Sequence, residues 1–266
     1  MMRRSRTPQL RAKSAGARRT MSPPHVLAVC AVSQVLIILD TTVLSVATPH
    51  IGTELGMTEL SLPYISHSYT TALAAALLLS GRLADSLGRR RILAWGLAAL
   101  GLASLIGALA PTALVLLGAR FLQGLAAAAV LGANLALLVE CFPEQSHRLR
   151  ALGIWGAAGG SGGALGALLG GIMVEAASWR LALLINVPVV ILLLLWPMRR
   201  SGTDRHGGAG AVDVAGGCLL AITLVLAVQG TVALTAGAPL PASCSRSPAS
   251  AHSAGSLVLS TVPRDR

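Results

Sequence analysis

Apolar residues along this chain fall into seven long blocks, roughly 26–48, 62–80, 91–109, 113–139, 151–174, 181–197 and 213–232. Short polar or Gly/Pro-containing breaks separate them: Pro49–His50, Gly81–Arg91, Ala110–Thr112 and Arg199–Gly210 are examples. A bilayer hydrocarbon core takes about 20 apolar residues of helix, so each block suits one span. The pattern predicts seven transmembrane helices flanked by a polar, basic segment at 1–25 and an Ala/Ser/Pro-dominated segment at 233–266. The latter has the composition of a disordered tail.

Composition supports this picture. Of 266 residues, 54% are hydrophobic, 12% charged and 3% aromatic, and mean hydropathy is +0.71. Soluble domains carry about 25% charged residues. Half that charge would leave a soluble protein exposing far too much apolar surface. An ordinary soluble enzyme, a disordered chain and a collagen-like repeat are excluded. The net charge of +11 raises nucleic acid as a partner, but no basic face carries interleaved aromatics, and none is expected. The bases instead cluster between apolar blocks. With the N-terminus in the cytoplasm, inside segments hold sixteen Lys and Arg, and the outside loops before the seventh span hold only Arg180. The positive-inside rule then places the N-terminus in the cytoplasm of a multi-pass protein. The first block is too long for a cleaved signal peptide, and Met21 is an alternative start to Met1.

Cys30, Cys141, Cys218 and Cys244 show no CxxC spacing and no His completes a metal set, so neither a disulfide framework nor a metal is expected. Candidate chemistry comes from ionisable groups inside apolar blocks, which are costly and functional by default. Asp40 lies about seven residues before the outer end of the first block, Arg120 about seven after the outer start of the fourth. At about 1.5 Å per residue both sit roughly 10 Å deep, a common level that invites a pair. Pairing favours the carboxylate and desolvation favours the acid, a balance suited to taking and releasing a proton. A static ion pair joining two helices is the competing reading. Ser33 shares a helical face with Asp40. Gln123, Gly124, Ala127, Asn134 and Leu138 share one with Arg120. Ser33, Gln123, Gly124 and Asn134 are therefore expected at a helix interface or a wet cavity.

A second constellation runs from Gly81 to Arg91, GRLADSLGRRR. It is expected as a cytoplasmic loop in which Gly81 and Gly88 allow a tight turn, Asp85 pairs locally and Arg89 and Arg90 help anchor the segment. The fifth block carries glycines at three- and four-residue steps, with Gly156, Gly159, Gly163, Gly166 and Gly170 expected as a close-packing stripe. Within it, Gly159-Gly160-Ser161-Gly162-Gly163 matches GxSxG, but no strand precedes it and the hydrolase reading is rejected. Asp213 is expected to cap the seventh helix, Asn186 near Pro188 to make an interhelical hydrogen bond, and Trp179 beside Arg180 to anchor at the membrane interface. With no acid/base cluster or metal site at one depth, an enzyme is not expected.

Together these motifs resemble the major facilitator superfamily, in particular its fourteen-spanning drug:proton antiporters. The resemblance covers about residues 26–230. Leu39-Asp40-Thr41-Thr42-Val43 with Ala47 and Pro49 is similar to the first-helix motif, Gly81–Arg91 to the signature loop, and Arg120-Phe121-Leu122-Gln123-Gly124 to the fourth-helix motif. Gly163 through Gly171 resembles the antiporter motif of helix five, and Trp179-Arg180 with Asn186-Val187-Pro188 the opening of helix six. Departures are Ala167 for the usual Pro, Ser45 for Asn, Thr48 for Leu and Tyr64 for Trp.

The resemblance implies an all-α integral membrane fold: a six-helix bundle at 26–197, a cytoplasmic loop at 198–212, a seventh helix at 213–232 and the tail at 233–266. It implies export of small lipophilic compounds against inward proton flow across a bacterial inner (plasma) membrane, with the proton gradient and no cofactor as the driving force. Asp40 and Arg120 would couple the proton, and Gly81, Asp85, Gly88, Arg89 and Arg90 would shape a cytoplasmic gate. The implied partners are a small-molecule substrate and the lipid bilayer, with oligomeric state left open. Such transporters place the substrate between two pseudo-symmetric halves. One half and one further helix, followed by an abrupt change of composition, suggest truncation or a frameshift. The alternative expectation is a non-transporting half-protein, inert or associated with another membrane protein.

Overall fold

The computed structural model describes residues 23–176, 178–198 and Thr223. The basic segment to residue 22, the 199–212 part of the loop, the seventh block (apart from Thr223), Asp213 and the tail lie outside the described residues. Contacts divide the chain into Met1–Val228, which holds every described residue, and Gln229–Arg266.

Every element among the described residues is a helix: α1 Pro23–Glu54, α2 Pro63–Leu87, α3 Arg89–Ala108, α4 Ala113–Cys141, α5 Gln145–Ala176, α6 Trp179–Leu184 and α7 Asn186–Met198. Four segments, α1, α3, α4 and Gln145–Met173 of α5, are long and apolar enough to cross a membrane. α2 has the length, with 25 residues, but the polar run Ser66–Thr71 dilutes its hydropathy. The sixth apolar block is interrupted at Ile185, where α6 gives way to α7.

The helices overrun the apolar blocks. α1 has 32 residues and continues through Pro49 and His50 to Glu54. Proline withdraws its N–H from the ladder and crowds the carbonyl four residues back, yet the helix continues past Pro49, with Ile51 and Gly52 buried beyond it. Asp40 therefore lies fourteen residues from the end of α1, not seven. The expected loop Gly81–Arg91 is almost entirely helical. α2 continues to Leu87 and α3 begins at Arg89, with Gly88 alone between them at φ +103°. Only glycine adopts that backbone readily, so Gly88 makes the turn and Gly81 does not. Polar residues leave the membrane here without leaving the helix.

α1 packs along α5, α2 along α4, and α3 between α4 and the α6–α7 pair. Glycine permits the closest approaches. A Cβ on Gly162 would lie 2.7 Å from the Val35 carbonyl oxygen, one on Gly166 would overlap Thr42, and one on Gly170 would lie 3.2 Å from Val43 Cα. The stripe against α1 is thus Gly159, Gly162, Gly166 and Gly170. Of the expected members, Gly156 is exposed with open space around it, and Gly163 makes only an ordinary contact with Ile38. The outer surface is apolar: Leu78, Trp95, Leu102, Leu114 and Leu168 are all exposed, as lipid contact requires.

Candidate functional site: a buried carboxylate, guanidinium and amide cluster

The centre of the bundle holds a polar cluster assembled from five elements. Asp40 on α1 and Arg120 on α4 are only 2% and 1% exposed. Arg120 Nη1 donates to Asp40 Oδ2 at 2.5 Å and to Gln123 Oε1 at 2.8 Å. The amide of Gln123 donates to Ser104 Oγ of α3 at 2.7 Å. At the start of α7, Asn186 Nδ2 donates to Asp40 Oδ1 at 2.5 Å and to Ser104 Oγ at 3.2 Å. The Arg120 guanidinium lies 4.4 Å from the Tyr69 ring centroid on α2, a favourable cation–π placement. Arg120 Nε, Tyr69 OH and Asn186 Oδ1 are buried without a hydrogen-bond partner.

The electrostatics follow from burial. Two ions withdrawn from water persist only when paired and hydrogen-bonded, and removal of one partner strands the other. Neutralising Asp40 therefore exposes the whole cluster to rearrangement, because the Arg120 charge must be met by Gln123 and the Tyr69 face alone.

A second, smaller cluster lies about two turns of α1 from Asp40, toward the Pro23 end of that helix. Asn134 Nδ2 donates to Ser33 Oγ at 2.9 Å, and Ser33 Oγ donates to the Cys30 carbonyl at 3.1 Å. Ser33, Gln123 and Asn134 are fully buried, so these residues, expected at an interface or a cavity, form interfaces. Gly124 is also buried, where a Cβ would meet the Tyr69 carbonyl and Ala72 of α2.

At the α2–α3 junction, Arg89 Nη2 donates to Asp85 Oδ1 at 2.8 Å. Its Nη1 reaches the Ala136 carbonyl at 3.0 Å and Glu140 Oε2 at 3.1 Å on α4. Gly81 sits mid-helix, where a Cβ on Gly132 of α4 would come within 2.9 Å of its backbone nitrogen. Arg90 occupies the first turn of α3, half-buried. At the opposite end, Trp179 is buried rather than an interfacial anchor, and its indole N–H donates to Glu54 Oε2 at 2.5 Å. Arg180 pairs with Glu54 and donates to the Ala110 carbonyl at 3.3 Å.

Sequence reasoning missed Ser104, Tyr69, Glu140 and Glu54, and gave Asn186 no specific partner. Asn186 did signal itself as an amide inside an apolar block. Glu140, an acid beside a basic segment, carried a weaker signal, and Ser104 carried none.

Membrane-length helices wrapped about a buried ion pair define an α-helical, multi-pass membrane protein. The family model described as Major Facilitator Superfamily matches residues 30–238, and the chain belongs to that superfamily. It is 42% identical over 204 residues to the puromycin resistance protein pur8 of Streptomyces alboniger, covering 76% of this chain and 41% of that protein. It is 38% identical over 227 residues to the cephamycin export protein CmcT of Amycolatopsis lactamdurans, covering 85% of this chain and 45% of that protein. The chain thus spans less than half the length of these relatives. A solved POT family transporter in complex with 5-aminolevulinic acid matches the fold with a TM-score of 0.61 at 13% identity, over 79% of this chain and 46% of that one.

Proposed function

We propose that the chain serves proton-coupled export of small lipophilic compounds, as the bundle that carries the proton. The observation that supports this most is the fully buried Asp40–Arg120 pair, a costly arrangement among apolar helices. Names of relatives that speak of drug resistance and export support the direction and class of cargo. The sixteen-to-one basic bias supports a cytoplasmic N-terminus, and the bacterial relatives support a plasma-membrane location.

In this reading a proton from the outer aqueous phase neutralises Asp40. Its hold on Arg120 ends, and α1 and α4 lose the charge contact that fixes their register. Release of the proton inward restores the pair. One charge moving through 100 mV supplies about 2.3 kcal/mol. The Arg89–Asp85–Glu140 contacts act as a cytoplasmic gate, with Gly88 as its turn and Gly81 and Arg90 beside it. The α5 glycine stripe, which lets α5 lie close against α1, serves as a sliding surface within the bundle.

The test is efflux of a lipophilic cationic dye from cells producing this chain. Efflux that a protonophore stops and Asp40→Asn abolishes supports the proposal. Absence of efflux with the chain folded in the membrane overturns it in favour of a non-transporting protein. Retained efflux in Asp40→Asn with unchanged pH dependence removes Asp40 from the role.

A further inference from the structure

Asn186 occupies an unusual place in the cluster. It is fully buried at the junction where α6 gives way to α7. One end of its amide faces two polar partners, Asp40 Oδ1 at 2.5 Å and Ser104 Oγ at 3.2 Å. The other end, Oδ1, is buried with no partner. An amide is nearly symmetric in shape, with a donor and an acceptor at its two ends. Turned over, Asn186 would put its acceptor toward Asp40 and Ser104 and its donor where nothing meets it. Either orientation leaves one amide end unsatisfied, so the choice falls to the group it faces. A carboxylate only accepts and selects the Nδ2 end. A carboxylic acid donates its O–H and selects the Oδ1 end. Ser104 suits both states. It accepts from Gln123 and Asn186, and its own hydroxyl hydrogen can swing to donate to an amide oxygen.

We propose that Asn186 is a positioning residue that reads the protonation state of Asp40 by turning over its side-chain amide, with Ser104 as the hydroxyl that reverses alongside it. The inference rests on the reading of Asp40 as proton carrier. The proton arrives from water and binds Asp40; no other bond forms or breaks. Among the described residues, the charged group that meets Asp40 is Arg120 from α4, and the titratable Tyr69 of α2 lies against the far side of the cluster, on the Arg120 guanidinium. α3 presents Ser104, and the α6–α7 junction presents Asn186. Arg120 keeps Gln123 Oε1 and the Tyr69 face in either state. Because Asn186 opens α7, its reversal carries the charge state of α1 to the α6–α7 pair, a connection the Asp40–Arg120 contact alone does not make.

The chain contains only two asparagines, Asn134 and Asn186, which makes the amide directly observable. The experiment is pH-difference infrared spectroscopy of the purified chain in phospholipid vesicles, with asparagine side chains labelled by carbon-13. On acidification a protonated-carboxyl band should develop that Asp40→Ala lacks. One labelled amide carbonyl band should shift to lower wavenumber with the same midpoint, persist in Asn134→Ala and stay still in Asp40→Ala. In Asn186→Leu the Asp40 acid band should move to higher wavenumber, toward a carboxylic acid without a hydrogen bond, and Ser104→Ala should narrow the amide shift. A wild-type carboxyl band with both asparagine bands motionless overturns the role of Asn186 and leaves Asp40 as carrier. Absence of any Asp40-dependent carboxyl band overturns both.

Discussion

Arg120 is held by a carboxylate, an amide oxygen and an aromatic face, all out of water. Arg120→Met strands the Asp40 charge and should destabilise the chain by about 3–5 kcal/mol, read as a lowered thermal midpoint in detergent. Adding Asp40→Leu should recover most of that loss, because an apolar pair of similar volume replaces two desolvated ions. Additive losses in the double variant would show that the two residues do not act as a pair. These two residues were legible in the sequence because each is an ion in an apolar block, and equal spacing from block ends suggested a common depth. The depth argument reached the right pair from a wrong length for α1. Ser104 was not legible, since a serine in a membrane helix can satisfy itself on the preceding turn's carbonyl and needs no distant partner.

Among the helices, the α1–α5 contact depends on the absent side chains of α5. Gly162→Val should force α5 off the Val35 backbone and lower the amount of folded chain in membranes. Gly156→Ala, with open space around it, should leave stability within about 0.5 kcal/mol. Quantifying folded chain by size-exclusion chromatography distinguishes the two, and equal effects would contradict the assignment of the stripe. Periodic glycines announced a close contact, but glycines at both three- and four-residue steps wrap around the helix, and only packing decides which row is covered. Helix limits were misread for a related reason. The hydrophobic pattern reports where lipid ends, and the backbone ladder continues past it, through Pro49 in α1 and to Leu87 in α2.

For the molecule as a whole, the two ends differ in their locks. Arg89 with Asp85 and Glu140 joins α2, α3 and α4 at one end, while Glu54 with Trp179 and Arg180 joins α1, α6 and the segment before α4 at the other. Glu54 and Arg180 are partly exposed, so Glu54→Gln should cost only about 0–1 kcal/mol by the same thermal midpoint. Orientation is testable in a variant whose native cysteines are serine: a membrane-impermeant maleimide applied to intact cells should label Thr58→Cys and spare Gln145→Cys, and the reverse would refute a cytoplasmic N-terminus. The central claim is that the Asp40 carboxyl of α1 binds and releases a proton inside the bundle. Proton uptake by the purified chain, followed with a pH-indicating dye during a titration from neutral to acidic pH, tests it most directly. The wild-type chain should take up one proton more per molecule than Asp40→Asn, and equal uptake by the two would contradict the account.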